Sequence, residues 1–214
     1  ALGGILLGTP SCKTSNAVKG AAIGGTTGGV LGGIIAGKKN TATGIIIGSA
    51  IGGTAGAIIG RQMDKQAEEL RRDLKGAKVE RVGEGIKITF DSGLLFGFDQ
   101  SALTPASKSN LQDLAKTLNK YPDTNILIEG HTDNVGEDGY NLTLSKQRAQ
   151  SVDAFLTNLG VSSQRITNKG LGENYPVVSN DTPSGRAQNR RVEVAIYANK
   201  KMKRMARRGQ LGKL

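Results

Sequence analysis

The chain has 214 residues, including 31 glycines but only one cysteine and one histidine, and its formal net charge is +11 at pH 7. This length accommodates one or two domains. A single cysteine excludes an internal disulfide, and one cysteine with one histidine cannot form a zinc site unless several carboxylates contribute. The positive charge favours an anionic partner, such as nucleic acid, lipid phosphate, lipopolysaccharide or wall polymer.

The N-terminal segment, ALGGILLGTPS, is apolar and built largely from small residues. It has the composition of the end of a signal-peptide hydrophobic region, so we predict that residues 1–11 are a signal-peptide remnant. Cys12 follows directly, and the segment resembles a bacterial lipobox apart from Pro10. This resemblance implies lipidation at Cys12 and a short linker over residues 12–19. The alternative is a free or buried thiol.

Glycine recurs at every fourth position through much of residues 20–60. Each interior glycine destabilises a helix in water by about 1 kcal/mol, whereas in lipid a helix satisfies its own backbone and a glycine ridge lets two helices pack closely. We therefore predict a membrane-associated helical hairpin that can form homo-oligomers, with a flexible linker as the alternative. The zipper positions are Gly20, Gly24, Gly28, Gly32, Gly44, Gly48, Gly52, Gly56 and Gly60.

Residues 61–83 are rich in charge and are predicted to be a helix and linker. Met63, Ala67, Leu70 and Leu74 form a thin apolar stripe with 4-3-4 spacing, like a short coiled-coil seam. The stripe predicts either a solvated connector or a helix that pairs with a second copy.

Residues 200–214 form a basic tail, and no acidic residue follows Glu193. We expect a disordered, solvated tail. The alternative is an electrostatic contact with lipopolysaccharide phosphates or with an anionic wall polymer.

Residues 84–199 alternate between strand-like and helix-like patterns. Apolar residues at every second position predict strands around residues 86–90, 94–98, 126–129 and 192–196, with a weaker one over 165–169. Thr104 and Pro105 are typical of the N-cap and first position of a helix, and a second helix carries the apolar residues from Leu144 to Leu159. The predicted fold class is an α/β (α+β) sandwich with helices packed on one face of a sheet.

Arg148 lies inside the apolar stripe of the second helix, four residues after Leu144 and four before Val152. A charge in this position needs a partner or a route to water. Asp133, near the end of the preceding strand, is the nearest plausible carboxylate in the sequence. Spacing alone leaves open whether Arg148 is a structural arginine or a ligand-binding one.

Three blocks, FGFDQSAL, GHTDNVGEDGYNLTLSKQRAQSV and GRAQNRRVEV, resemble the OmpA-like peptidoglycan-binding family in their order and spacing. The resemblance covers residues 84–199 and implies a mixed sheet. Together with the lipobox-like segment that ends at Cys12, it also implies an outer-membrane lipoprotein whose C-terminal domain faces the periplasm. Such a protein binds peptidoglycan non-covalently through diaminopimelate of the stem peptide, and so tethers the envelope to the cell wall.

In that family, the residues matching Asp133 and Arg148 grip diaminopimelate. An ammonium–carboxylate centre needs an acceptor carboxylate and a two-pronged donor, which these two side chains can supply. Arg190 and Arg191 either meet the ligand carboxylate or hold Glu129 and other acids structurally. The peptidoglycan-binding residues implied by the resemblance are Phe98, Asp99, Thr132, Asp133, Asn141, Leu144, Arg148, Asn189, Arg190 and Arg191. Gly130, Gly136 and Tyr140 are interpreted as structural.

Other function classes have little support in the sequence. His131 is the only histidine and no G-x-S-x-G motif is present, so we predict no enzyme. The acids near His131 lack metal-site spacing, so we predict no metal and no cofactor. Basic residues are not interleaved with aromatics, which disfavours nucleic acid.

Two alternatives to a simple wall tether stay open. One is a membrane-active or oligomeric assembly built by the glycine zippers. The other is an accessory component of an envelope machine anchored to the wall. An ion-driven motor is disfavoured because no acidic residue precedes Asp64, and such motors need an ionisable group in the membrane.

Overall fold

The computed structural model describes residues 41–97 and 99–211. Cys12 and the signal-peptide remnant predicted before it lie outside the described residues. So do the first arm of the glycine zipper (residues 20–32), Phe98 and residues 212–214.

Five strands in the described part of the chain form one mixed sheet, in the order β1-β2-β5-β3-β4. β1 and β2, β2 and β5, and β5 and β3 are antiparallel pairs, whereas β3 and β4 are parallel. The mixed sheet expected from the family resemblance is therefore confirmed. The strands are β1 (Ala77–Val82), β2 (Gly85–Asp91), β3 (Thr124–His131), β4 (Ile166–Gly170) and β5 (Arg191–Ala198).

Helices connect the strands and flank the sheet. The start of α4 was predicted correctly, because Thr104 accepts the N–H of Ser107 (3.1 Å) and Pro105 occupies the first turn. The helices are α1 (Thr41–Ser49), α2 (Gly53–Asp73), α3 (Ser92–Leu95), α4 (Pro105–Lys120), α5 (Asp138–Asn158), α6 (Pro183–Asn189) and α7 (Lys200–Arg207), with a 3-10 turn at Ser163–Arg165.

The main core lies between one face of the sheet and helices α2, α4 and α5. Successive side chains of a strand point to opposite faces, so the even-numbered residues Ile88, Ile128 and Val194 share this face. They pack with Leu114 of α4 and Val152 of α5, and all five are buried. This arrangement agrees with the prediction of helices on one face of a sheet.

Helix α1 adds a layer on the opposite face, which the sequence did not predict. Ala42 and Ile46 pack on Leu127 and Ala195, apolar residues on the odd-numbered face of the central strands. Gly85 permits this approach, because a Cβ there would lie only 2.6 Å from a side-chain carbon of Ile46. The helices therefore cover part of both faces.

The second arm of the predicted hairpin, residues 44–60, is not one continuous helix. Gly52 and Gly53, between α1 and α2, have φ angles of 66° and 62°, a left-handed conformation that glycine adopts readily. The Glu84 carboxylate accepts the N–H of Gly52 (2.7 Å) and of the residue before it (2.9 Å). Among the described helices, none combines the length and apolar character needed to cross a membrane.

Residues 61–83 belong to the folded unit, so the prediction of a connector or self-pairing helix is wrong. Helix α2 continues through the charged stretch, and Met63, Ala67 and Leu70 are fully buried in the main core. Strand β1 then forms the edge of the sheet. The spacing of the stripe correctly indicated a helix, but spacing cannot tell which surface covers it.

The basic tail begins as a helix rather than as disordered chain. Asn199 caps α7 by accepting the N–H of Met202 (2.9 Å), and Met202 and Ala206 are buried in the main core, where α7 contacts α2. The disordered-tail prediction is therefore wrong for residues 200–207. Most lysines and arginines of α7 are exposed, so an electrostatic contact stays a prediction.

The strand predicted around residues 94–98 is also wrong. Asp91 accepts the N–H of Gly93 (2.8 Å) and starts the short helix α3. The chain then makes a single β-bridge between Phe96 and Leu103. A cap at the end of β2 outweighs the local alternation of apolar residues, because it turns the chain out of the strand direction.

We expect Leu70→Ala to lower the free energy of unfolding by about 2–5 kcal/mol, because it removes a fully buried side chain. Urea unfolding of residues 41–211, followed by circular dichroism, measures the change. Glu68→Ala, on the exposed face of α2, is the control and should change stability by no more than about 0.5 kcal/mol. Equal stability of the two variants would contradict the packing of α2 in the core.

Candidate ligand-binding cleft

A cleft of about 570 Å³ opens at the end of the sheet where β3 ends and β5 begins. Its walls come from α3 and the loop after it, the loop after β3, the start of α5, and a residue just before β5. The antiparallel pairing of β3 with β5 explains this meeting, because the end of one strand lies beside the start of the other. The predicted site residues that line the cleft are Asp99, Thr132, Asp133, Asn141, Leu144, Arg148 and Arg190.

Asp133 is a nearly buried carboxylate in the wall of the cleft. One oxygen, Oδ2, pairs with Nη1 of Arg190 (2.5 Å), and the other, Oδ1, accepts the N–H of Val135 (3.2 Å). The N–H of Thr132 donates to the Gly172 carbonyl (3.0 Å) and so fixes the backbone just before the aspartate. These bonds hold the carboxylate in one orientation in the wall of the cleft.

Arg148 is buried, with a relative exposure of 4%, and also lines the cleft. Its Nε donates to the Gln100 carbonyl (3.0 Å), and its guanidinium lies over the Phe96 ring, 5.3 Å from the centroid. Burial lowers the pKa of Arg148, and the negative charge of Asp99 partly offsets this. Within the described part of the chain, its Nη atoms form no hydrogen bond or ion pair.

Asn141 holds the loop that carries the aspartate. Its Nδ2 donates to the carbonyls of Asp133 (3.3 Å) and Val135 (3.2 Å) and to the Glu173 carboxylate (2.7 Å). Asn141 lies in the first turn of α5 and is almost fully buried. Its position lines the cleft, but its side chain is committed to the loop, so it positions Asp133 rather than offering a free donor.

Asp99 and Tyr140 connect two walls of the cleft. The Tyr140 hydroxyl donates to Asp99 Oδ1 (2.7 Å), and this hydrogen bond raises the pKa of Tyr140. Asp99 has a φ of 55°, a left-handed conformation that is uncommon outside glycine. Tyr140 had been interpreted as structural, but its side chain is half exposed and lines the cleft.

Phe96 and Arg186 are among the cleft residues that sequence reasoning missed. Phe96 was placed in a strand, whereas its ring supports the Arg148 guanidinium. Arg186 of α6 also lines the cleft, and its Nη1 donates to the Asn180 carbonyl (2.9 Å). Arg186 lies in the block GRAQNRRVEV, so the block itself was the available signal.

Asn189 and Arg191 do not line the cleft. Asn189 is fully buried and secures a loop, accepting the N–H of Val177 (2.9 Å) and donating to the Val178 carbonyl (2.8 Å). Arg191 pairs with Glu193 (2.7 Å) on the side of the sheet away from the main core. The sequence left open whether Arg190 and Arg191 meet a ligand or pair with acids structurally. Arg190 lines the cleft, whereas Arg191 has the structural role.

The cleft therefore offers groups of both charges close together. Asp133 and Asp99 supply carboxylates, Arg148 and Arg190 supply guanidinium groups, and Leu144 adds an apolar surface. Arginine binds carboxylates through paired N–H donors, and a carboxylate accepts an ammonium group. Such a cleft suits a small ligand that carries an ammonium and a carboxylate on one centre.

Comparison with known proteins identifies the family. Residues 95–190 match the OmpA family, and residues 1–64 match the YMGG-like Gly-zipper family. Over 161 residues the chain is 39% identical to the probable lipoprotein YiaD of Escherichia coli, an alignment that covers 74% of each protein. The chain belongs to the OmpA family.

Two other similar proteins have names that describe a role at the cell wall. The peptidoglycan-binding protein ArfA of Mycobacterium tuberculosis is 44% identical over 103 residues, which span 48% of this chain but only 32% of ArfA. The cell wall anchor of the T6SS from Pseudomonas aeruginosa superposes with a TM-score of 0.55 at 27% identity. That superposition covers 64% of this chain and 97% of the anchor.

We expect Asn189→Ala to lower the free energy of unfolding by about 1–3 kcal/mol, because it removes a fully buried side chain and leaves partly buried backbone groups of the loop without their partner. Gln188→Ala, at the exposed neighbouring position, is the matched control and should be nearly neutral. Thermal and urea unfolding of both variants measures the difference. A neutral Asn189→Ala would refute the structural role given to this side chain.

Proposed function

We propose that this protein is an outer-membrane lipoprotein that binds peptidoglycan non-covalently through diaminopimelate of the stem peptide. Its C-terminal domain faces the periplasm, and the protein tethers the envelope to the cell wall. The observation that carries this proposal is the pair formed by Asp133 and Arg148. A fixed carboxylate lines one cleft with a guanidinium whose Nη atoms have no hydrogen-bond partner among residues 41–97 and 99–211.

The free end of diaminopimelate carries an ammonium and a carboxylate on one carbon. Asp133 accepts the ammonium, and the Nη atoms of Arg148 take the carboxylate as a two-pronged donor. Because Arg148 is buried and held by Gln100 and the Phe96 ring, little side-chain freedom is lost on binding. Leu144 lies beside Arg148 in the wall and contacts the methylene carbons of the ligand.

Arg190 contributes to ligand binding because it contacts the same carboxylate, Asp133, that accepts the ligand ammonium. In the described structure its guanidinium satisfies Oδ2 of the aspartate, so the buried carboxylate is compensated before any ligand arrives. When an ammonium approaches, Arg190 shares that oxygen or moves to the ligand carboxylate. Its side chain is 42% exposed and can make this shift more easily than the buried Arg148.

The proposed role is binding and not catalysis. Relatives support the same class of role, since ArfA is named for peptidoglycan binding and the T6SS protein for anchoring to the cell wall. A tether needs only a reversible contact that survives load.

We expect Asp133→Asn and Arg148→Lys each to weaken binding to isolated sacculi by about tenfold or more, the effect of losing one charge-assisted contact. Cosedimentation of residues 41–211 with purified sacculi measures the loss. The fragment starts at residue 41, because a start at residue 84 would remove α2 and β1 from the core. Lys146→Gln, an exposed charge on α5, is the control.

Competition with small molecules tests the ligand chemistry in the same assay. Free meso-diaminopimelate should displace the fragment from sacculi, whereas its amidated form, which lacks the carboxylate for Arg148, should compete poorly. Variants that bind sacculi as tightly as the unmodified chain would refute the site. Equal competition by both small molecules would refute the role of the ligand carboxylate.

The N-terminal region supplies the second attachment in this proposal. Cys12 carries the lipid. The glycine zippers associate with the membrane, either as single copies or as homo-oligomers. The match of residues 1–64 to the YMGG-like Gly-zipper family supports a zipper of this type. When the protein is expressed behind a lipoprotein signal peptide, Cys12→Ser should move it from the membrane fraction to the soluble periplasmic fraction. Retention of that variant in the membrane fraction would assign anchoring to the zippers instead of the lipid.

A further inference from the structure

A second group of ionisable side chains lies on the outer face of the sheet, behind the cleft. Glu129 and His131 belong to β3, two residues apart and so on the same face, and Glu193 lies directly opposite Glu129 on β5. Their relative exposures are only 0%, 2% and 1%, respectively. Two carboxylates that face each other across a strand pair repel, and burial strengthens the repulsion.

The hydrogen-bond capacity of this cluster is largely unused. Within the described part of the chain, neither ring nitrogen of His131 has a hydrogen-bond partner, and Oε2 of Glu193 has none. The other oxygen, Glu193 Oε1, accepts from Nε of Arg191 (2.7 Å). A buried polar group without a partner is destabilising, so a bound ion or ligand that contacts several such groups at once would stabilise the fold.

The three side chains are also close enough to act together. One potential ligand atom from each of Glu129, His131 and Glu193 lies within 4.8 Å of the others. On a tetrahedral Zn²⁺, ligands at about 2.0–2.2 Å from the ion are about 3.4 Å apart. Binding an ion therefore requires the ligand atoms to move together, by rotation of the two glutamate side chains.

We propose that Glu129, His131 and Glu193 form a structural site for a divalent transition-metal ion, with Zn²⁺ as the best fit. Imidazole nitrogen and carboxylate oxygen are both zinc ligands, whereas Ca²⁺ and Mg²⁺ prefer an all-oxygen set. The ion neutralises the two opposed carboxylates and uses a ring nitrogen of His131. Arg191 orients Glu193 from behind, as outer-shell partners of metal ligands do.

The surroundings define what this site can do. The positive charges of Arg191, Lys87 and Lys169 act electrostatically on the cluster and oppose the binding of a dication. Ala42 of α1 packs over the same face, and its backbone N–H favours the charged form of the Glu129 carboxylate. A metal here joins the two central strands beneath α1 and stiffens the end of the sheet that carries the cleft. This inference goes beyond wall binding and does not depend on it.

The test uses the full chain after treatment with a chelator and its removal. Calorimetric titration with Zn²⁺ should show one tight equivalent that raises Tm, and Mg²⁺ and Ca²⁺ should do neither. Glu129→Gln and His131→Gln should each weaken Zn²⁺ binding by at least about tenfold. Glu137→Gln, an exposed acid on the loop before α5, is the control and should bind like the unmodified chain.

Each other outcome overturns the proposal. A folded chain that binds no Zn²⁺, or that binds it as tightly after His131→Gln as before, excludes this cluster as the site. If His131→Gln fails to fold, the nearly isosteric Glu129→Gln replaces it, and unchanged Zn²⁺ binding by that variant excludes this cluster as the site. A rise in Tm with Zn²⁺ that survives Glu129→Gln would assign the ion to another part of the chain.

Discussion

The antiparallel pairing of β3 with β5 is the constraint on which the rest of the structure depends. Its register, from Thr124 opposite Ala198 to His131 opposite Arg191, lets the end of one central strand meet the start of the other. Residues that leave this end of the sheet, Asp133 and Arg190, therefore form an ion pair in the cleft although 57 positions separate them. A slip of one residue would exchange the core face and the outer face of either strand.

Burial and pairing fix the positions of the charged groups in the cleft. Removing a charge from water is costly unless other groups compensate it. Asp133 has Arg190 and a backbone N–H, whereas Arg148 has one carbonyl and the face of Phe96. Arg148 is therefore held in place but not fully satisfied, so binding a carboxylate there adds hydrogen bonds without first breaking an ion pair within the described residues.

The glycines of the second zipper arm serve the folded domain as well as any membrane contact. Gly52 and Gly53 provide the left-handed turn between α1 and α2, and Glu84 caps the chain at this turn. Gly56 lies so close to the Glu84 carboxylate that a Cβ there would overlap it. In this part of the zipper, particular glycines are therefore required by specific contacts of the folded domain.

The sequence by itself determined most of the local elements, and most of the binding residues that the family resemblance named line the cleft. Caps such as Thr104 and the periods of apolar residues act within a few positions, so they can be interpreted without the fold. The burial of α2, the separate roles of Arg190 and Arg191, and the cluster around His131 were decided only by tertiary structure. They depend on strand register and on surfaces contributed by distant parts of the chain, and no pattern of neighbouring residues encodes which of those surfaces meet.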